Sequence, residues 1–133
     1  MAGCREVPWP GVSEKKRILI ADDSETVTSL LLAALHSSGY EVTVTADGIE
    51  AYEAGKTGEF DLVILDQLMP GLLGLEVIDR WHEEGMETPV IVLTGVDDDR
   101  TAVESLDRGA VDFVRKPFRM PELIARIRHH LQH

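Results

Sequence analysis

Residues 61–74 read DLVILDQLMPGLLG, and this stretch decides the fold. Leu62-Val63-Ile64-Leu65 is an unbroken apolar run of strand length that leads directly into Asp66. A strand wetted on one side alternates apolar and polar residues. A run without alternation is buried on both faces, as in a parallel sheet covered by helices. Met69-Pro70-Gly71 then turns the chain, and Leu75, Ile78 and Trp81 recur at helical spacing. The unit is therefore strand, turn, helix, with an acid at the carboxyl end of the strand.

The same unit recurs along the chain. Further strand runs are Ile18 to Ala21, Val42 to Val44, Val90 to Leu93 and the short Val111 to Val114. Val27, Leu30, Leu31, Ala34 and Leu35 share one helical face, with Gly39 as a stop. Ile49 and Tyr52, continued by Glu53 to Lys56, mark a shorter helix. Ala102, Val103 and Leu106 mark another, closed by Gly109. The last has Pro121 in its first turn and turns Leu123, Ile124, Ile127 and Leu131 inward. Five strand–helix units with short, right-handed connections give an α/β fold, a doubly wound five-stranded parallel sheet with five helices. The flavodoxin-like strand order 2-1-3-4-5 is the natural one for five units.

Bulk properties bound the function. The 133 residues suit one compact domain, and 44% hydrophobic residues with only 5% aromatic ones predict an aliphatic core. A net charge of −11 repels phosphate backbones and argues against direct nucleic-acid binding by this chain. The single cysteine, Cys4, cannot form an intrachain disulfide, which fits a reducing compartment. No apolar run has the length of a membrane helix, and Met1 to Gly11 lacks the features of a signal peptide, so a cytoplasmic location is expected. Residues 1–15, with Pro8, Trp9, Pro10 and Gly11, read as a flexible tail, and residues 16–133 as the domain.

Sheets of this kind carry their sites at the carboxyl ends of the strands. Strand one ends in Asp22-Asp23, strand three in Asp66 and strand four in Thr94-Gly95, and strand five is followed by Arg115-Lys116-Pro117. Each has a local explanation when taken singly. Asp22-Asp23 could cap a helix, Asp66 could start a turn, Thr94 could end a strand and Lys116 could be a surface lysine. Together they bring three carboxylates, a hydroxyl and an ammonium to one edge. Clustered carboxylates repel, and a hard divalent cation resolves the conflict. Magnesium takes oxygen ligands and pairs with phosphate. A carboxylate between metal and lysine can attack phosphorus, while Thr94 donates to a phosphoryl oxygen.

The segments Ile18 to Asp23 (ILIADD), Asp61 to Gly74 (DLVILDQLMPGLLG), Pro89 to Gly95 (PVIVLTG) and Gly109 to Phe118 (GAVDFVRKPF) resemble, in combination and order, a response-regulator receiver domain over Lys16 to Leu131. The strand order above is itself exemplified by a bacterial receiver, so it is not independent of this resemblance. The resemblance implies that Asp66 is the phosphoacceptor of a two-component phosphorelay. It implies that Asp22, Asp23, Asp66 and the Leu68 backbone carbonyl hold Mg2+, and that Lys116 pairs with the phosphoryl group. The Lys116–Pro117 bond is expected to be cis. Thr94 and Phe113 match the switch pair, which acts on the face of the fourth helix, fifth strand and fifth helix. The implied partners are a sensor histidine kinase or histidine phosphotransfer protein, and a downstream protein or second copy bound through that face. Acidic Asp97, Asp98 and Asp99 and basic Arg119, Arg126 and Arg128 lie on its two helices.

Some positions depart from the usual pattern. Phe113 stands where tyrosine is commoner, and Gly95 where alanine or serine is. Leu68 and Val96 are apolar at positions whose side chains often tune attack by water on the phosphoaspartate. Competing readings are a binding module that works without phosphorylation, an aspartyl-phosphate phosphatase and a flavin protein. The phosphatase would want an acid at position 68, where Leu68 stands. The flavin protein would want a Ser/Thr/Gly-rich phosphate loop instead of Asp22-Asp23-Ser24-Glu25. The chain is therefore read as no enzyme beyond its own phosphorylation and dephosphorylation. His36 and His82 have no partner ligand nearby in sequence, and His129, His130 and His133 read as a polar helix end.

Overall fold

The computed structural model describes residues 15–95 and 97–131. The tail through residue 14, with Cys4 and Trp9, and Val96 and His133 lie outside the described residues. The elements in chain order are β1 (Arg17–Ala21), α1 (Glu25–Ser37), β2 (Glu41–Thr45), α2 (Gly48–Gly55), β3 (Leu62–Asp66), α3 (Gly74–Glu83), β4 (Val90–Thr94), α4 (Asp99–Asp107), β5 (Asp112–Arg115) and α5 (Met120–Leu131). All five strands are parallel, in the order 2-1-3-4-5.

The unbroken apolar runs have the expected cause. Alternate residues of each central strand enter different cores. Leu19, Val63, Leu65 and Val92 face α2 and α3, where Ala51, Leu75, Val77, Ile78 and Trp81 meet them. Ile18, Ile20, Leu62, Ile64, Ile91 and Leu93 face α1 and α5, against Leu31, Leu35, Leu123 and Ile127. Each fully buried Leu or Ile contributes roughly 1.5–3 kcal/mol of transfer free energy, so every β3 residue helps to fix register on both sides. Every residue of β3 and β4 is buried, whereas the edge strands β2 and β5 are largely not.

Four apolar helix positions differ from the sequence expectation, among them Ile49, which is 55% exposed in α2. Leu30 is 58% exposed, although it shares a helical stripe with Leu31. In α4 the buried residues are Ala102 and Ser105, while Val103 and Leu106 are 59% and 44% exposed. The inward face of α4 is made of small residues, and the Ser105 hydroxyl is satisfied by the Ala102 carbonyl at 2.7 Å. A serine can therefore be buried where periodicity alone would have placed a leucine. Gly39 and Gly109, read as helix stops, have φ of +93° and +107°.

The β3–α3 loop is clamped against α2. Gly48 N donates to the Pro70 carbonyl at 2.9 Å. A Cβ at Gly48 would lie 2.1 Å from the Leu72 carbonyl oxygen, which is backbone and cannot swing aside. Gly48→Ala is expected to destabilise the fold by about 1–3 kcal/mol, the usual range for overpacking, as measured by urea denaturation. An unchanged midpoint would mean that the loop moves freely away from α2.

Candidate functional site

The strand ends converge by register. Ala21 pairs with Leu65, so Asp22 and Asp66 follow side by side on neighbouring strands. Asp66 in turn pairs with Leu93, and Thr94 with Arg115, which places Thr94 and Lys116 one step further across the sheet. The point between β1 and β3 is where the strand order reverses, the usual place for a site in a sheet of this kind.

Local bonds set each group. Asp22 is buried, and its Oδ1 accepts from Ser24 N at 2.9 Å. Ser24 itself caps α1, its hydroxyl accepting from Val27 N at 3.3 Å. Helix capping therefore does not account for Asp22 or Asp23. Lys116 N donates to the Thr94 carbonyl at 2.7 Å, and the Lys116–Pro117 bond is cis. The Lys116 ammonium sits 2.9 Å from Asp22 Oδ2 and 3.4 Å from Asp66 Oδ1. Among the described residues, Thr94 Oγ1 is the buried side-chain polar atom without a hydrogen-bond partner.

Asp22, Asp23 and Asp66 each offer a carboxylate oxygen, all within 4.8 Å of one another. Burial, and then the charge of Asp22, raise the Asp66 carboxyl to about 6, with Lys116 opposing both. Burial alone would lower the Lys116 ammonium, but its bond to Asp22 and the charge of Asp66 outweigh this and raise it. Three acids against one ammonium leave the cluster short of positive charge. Its donors are all hard oxygens, one acid is exposed, and the set fits a magnesium-like cation that keeps part of its water shell.

Phe113 is half-buried against the α2–α3 core and lies on the same sheet face as Thr94, one strand over. The Arg115 guanidinium lies 5.5 Å from its ring centroid and pairs with Asp99 at 2.6 Å. Arg126 pairs with Asp112 at 2.9 Å and Glu122 at 3.5 Å, so part of the charge on the α4, β5 and α5 elements is matched within the chain. Burial would raise the Asp112 carboxyl, but hydrogen bonds from Arg126 and His130 outweigh it and hold the group low. Leu68 is 66% exposed at the mouth of the site. His36 and His82 are exposed on separate helices.

Comparison with known proteins is decisive for the family. Residues 18–128 match the response regulator receiver domain. The chain belongs to that family. The receiver is 45% identical over 115 residues to the uncharacterized transcriptional regulatory protein YkoG of Bacillus subtilis, covering 86% of this chain and 50% of that protein. It is 43% identical over 114 residues to the transcriptional regulatory protein TcrA of Mycobacterium tuberculosis, covering 84% of this chain and 44% of that one. The receiver thus spans about half the length of these relatives. Its fold superposes on the receiver domain of the Francisella response regulator 1452 with a TM-score of 0.84 at 30% identity, covering 89% of this chain and 98% of that one. No described helix is long and apolar enough to cross a membrane.

The roles of two residues of the site are not legible from strand ends alone. Gln67 is buried beside Asp66, and Arg115 links Phe113 to α4. The sequence signal for Gln67 was a missing one, since no Ser, Thr, Asp or Asn precedes Gly74 to cap α3.

The raised Asp66 carboxyl predicts a pH dependence. A carboxyl whose folded value exceeds its unfolded one, near 4, costs nothing at low pH and becomes unfavourable to the folded state as pH rises through about 6. Metal-free receiver is therefore expected to lose up to about 3 kcal/mol of stability across that window, and Asp66→Asn to remove the loss. Denaturation in chelator at several pH values measures it; equal pH profiles for the two proteins would contradict the electrostatic account.

Proposed function

We propose that Asp66 accepts a phosphoryl group from the phosphohistidine of a sensor kinase or histidine phosphotransfer protein, and that this switches the α4-β5-α5 face for partner binding or dimerisation. An Asp66 carboxylate oxygen attacks phosphorus, and the bond to the donor nitrogen breaks with its electron pair going to the imidazole. The Lys116 ammonium, within reach of Asp66, binds a phosphoryl oxygen. Thr94 donates its hydroxyl proton to another, which would give that buried hydroxyl the partner it lacks. Asp22, Asp23, Asp66 and the Leu68 carbonyl would hold magnesium, whose charge neutralises the phosphoryl oxygens. The observation that carries this reading is the buried Asp66 set between two further acids and one ammonium at the reversal of strand order.

The switch follows from the same groups. A phosphoryl group adds charge and acceptor oxygens that Lys116 and Thr94 satisfy together in one arrangement. Thr94 moving towards it would vacate space for the Phe113 ring. The surface that responds carries the exposed Val103, Leu106 and Val111. A phosphorylation-independent binding module is the second reading. The full set of charged groups at one strand edge favours the first, because binding alone does not require a buried, mutually repelling acid pair. An aspartyl-phosphate phosphatase would need a proton donor where Leu68 presents an apolar side chain.

With acetyl phosphate and magnesium, the protein is expected to gain one phosphoryl mass, and neither Asp66→Asn protein nor chelator-treated wild type is. No gain, together with no binding of magnesium or of a beryllofluoride mimic, would sink the phosphoacceptor reading and favour the module. The apolar Leu68 predicts a long-lived phosphoaspartate, because its side chain cannot orient a water. Leu68→Asn is expected to shorten the lifetime severalfold in a decay assay, and an asparagine form that decays no faster would refute this.

A further inference from the structure

Gln67 is the residue after Asp66, and it is buried. Its polar contacts tie together β3, β4 and α3. Gln67 N donates to the Leu93 carbonyl of β4 at 3.1 Å, and its own carbonyl accepts from Gly74 N at 2.9 Å. Its side-chain Oε1 accepts from Leu75 N, in the first turn of α3, at 2.8 Å. That last bond replaces something missing. The N-cap of α3 is Leu73, which has no side-chain oxygen. A capping side chain ordinarily satisfies the second or third N–H of its helix, and Leu75 N is the second. Here the acceptor comes from the far end of the loop. Glu76 Oε1 meets Leu73 N at 2.8 Å and completes the helix start. Gly74 makes the approach possible, because a Cβ there would lie 2.7 Å from the Asp66 carbonyl oxygen and 3.1 Å from Gln67 Oε1.

We infer that Gln67 is a positioning residue for the phosphoacceptor site. It caps α3 across the β3–α3 loop and so fixes the backbone of Asp66 to Leu68 that would face the cation. This rests on the reading of Asp66, with Asp22 and Asp23, as a magnesium-dependent phosphoacceptor. The two ends of the loop are joined to each other, at Gln67 to Gly74 and Leu75, and its middle is fastened to α2, at Pro70 to Gly48, so the segment is held without a local cap. Loss of the side-chain acceptor would free the segment next to the acid cluster while leaving every carboxylate in place.

Three variants separate this role from plain stability. Gln67→Met keeps the volume and removes the acceptor. Leu73→Asp supplies a local cap, and the third protein carries both changes. Magnesium affinity is read by calorimetric titration of the metal alone, and phosphorylation by acetyl phosphate is followed across magnesium concentrations. Gln67→Met is expected to weaken magnesium binding by roughly tenfold, as loss of groups that orient metal ligands usually does. It is expected to raise the half-saturating magnesium concentration by the same factor with little change in rate at saturation. Melting should fall by roughly 5 °C. The double variant should regain the melting temperature and not the affinity. Unchanged affinity in Gln67→Met, or affinity restored together with melting temperature by Leu73→Asp, overturns the positioning role. Wild type that binds no magnesium overturns the phosphoacceptor reading and this inference with it, a result distinct from a functional wild type with an indifferent variant.

Discussion

An excess of negative charge at one edge of the sheet is the constraint on which the rest depends. Parallel register brings Asp22 and Asp66 side by side with Asp23 close by, and the fold supplies one ammonium, from Lys116, to oppose them. Two of the three acids are buried, so water cannot disperse the repulsion. The rigid two-sided core supplies the force that keeps them together. The apolar residues of β1, β3 and β4 lock into both layers, and shifting any strand by one residue would move its whole apolar set to the wrong face. The site is unfavourable in isolation and is held by packing, the arrangement expected where a fold keeps a site ready for a charged ligand.

Much of this architecture was legible in the sequence because its signals are strong and local. The runs Leu62 to Leu65 and Val90 to Leu93 carry the mark of strands buried on both faces, and Gly39 and Gly109 stand where the helices stop. Apolar periodicity misled where tertiary packing chose otherwise. Leu30 and Leu31 are neighbours on one stripe, yet only Leu31 enters the core. In α4 the inward face needs small side chains, so Ser105 takes a position that hydrophobicity would give to Leu106. Which side of a short amphipathic helix is buried depends on what lies beneath it, and that is a property of the sheet rather than of the helix.

The site was legible in a different way. Strand ends named Asp22, Asp23, Asp66, Thr94 and Lys116, because topology alone fixes what meets there, and the structure brings all five to one edge. The supporting residues do not announce themselves. Arg115 looks like an ordinary edge-strand arginine until its contacts with Phe113 and Asp99 are seen. The amide of Gln67 gains meaning only from the leucine at position 73, a residue that lacks the oxygen normally found there. Hydrogen bonds between residues eight apart leave no periodic trace, and only the folded loop reveals them.

The clamped β3–α3 loop has an evolutionary consequence. Surface loops usually absorb insertions readily, because their ends are the only fixed points. This one is fastened at Gln67, Pro70, Leu72 and Gly74, against β4, α2 and α3. A single added residue would break several of these contacts at once, so its length is under a strict constraint. Its outward side chains, Leu68 and Leu73, remain free to drift. Variation in descendants of this chain is therefore channelled into exposed positions at the rim, where chemistry can be retuned while the frame that holds the acids stays unaltered.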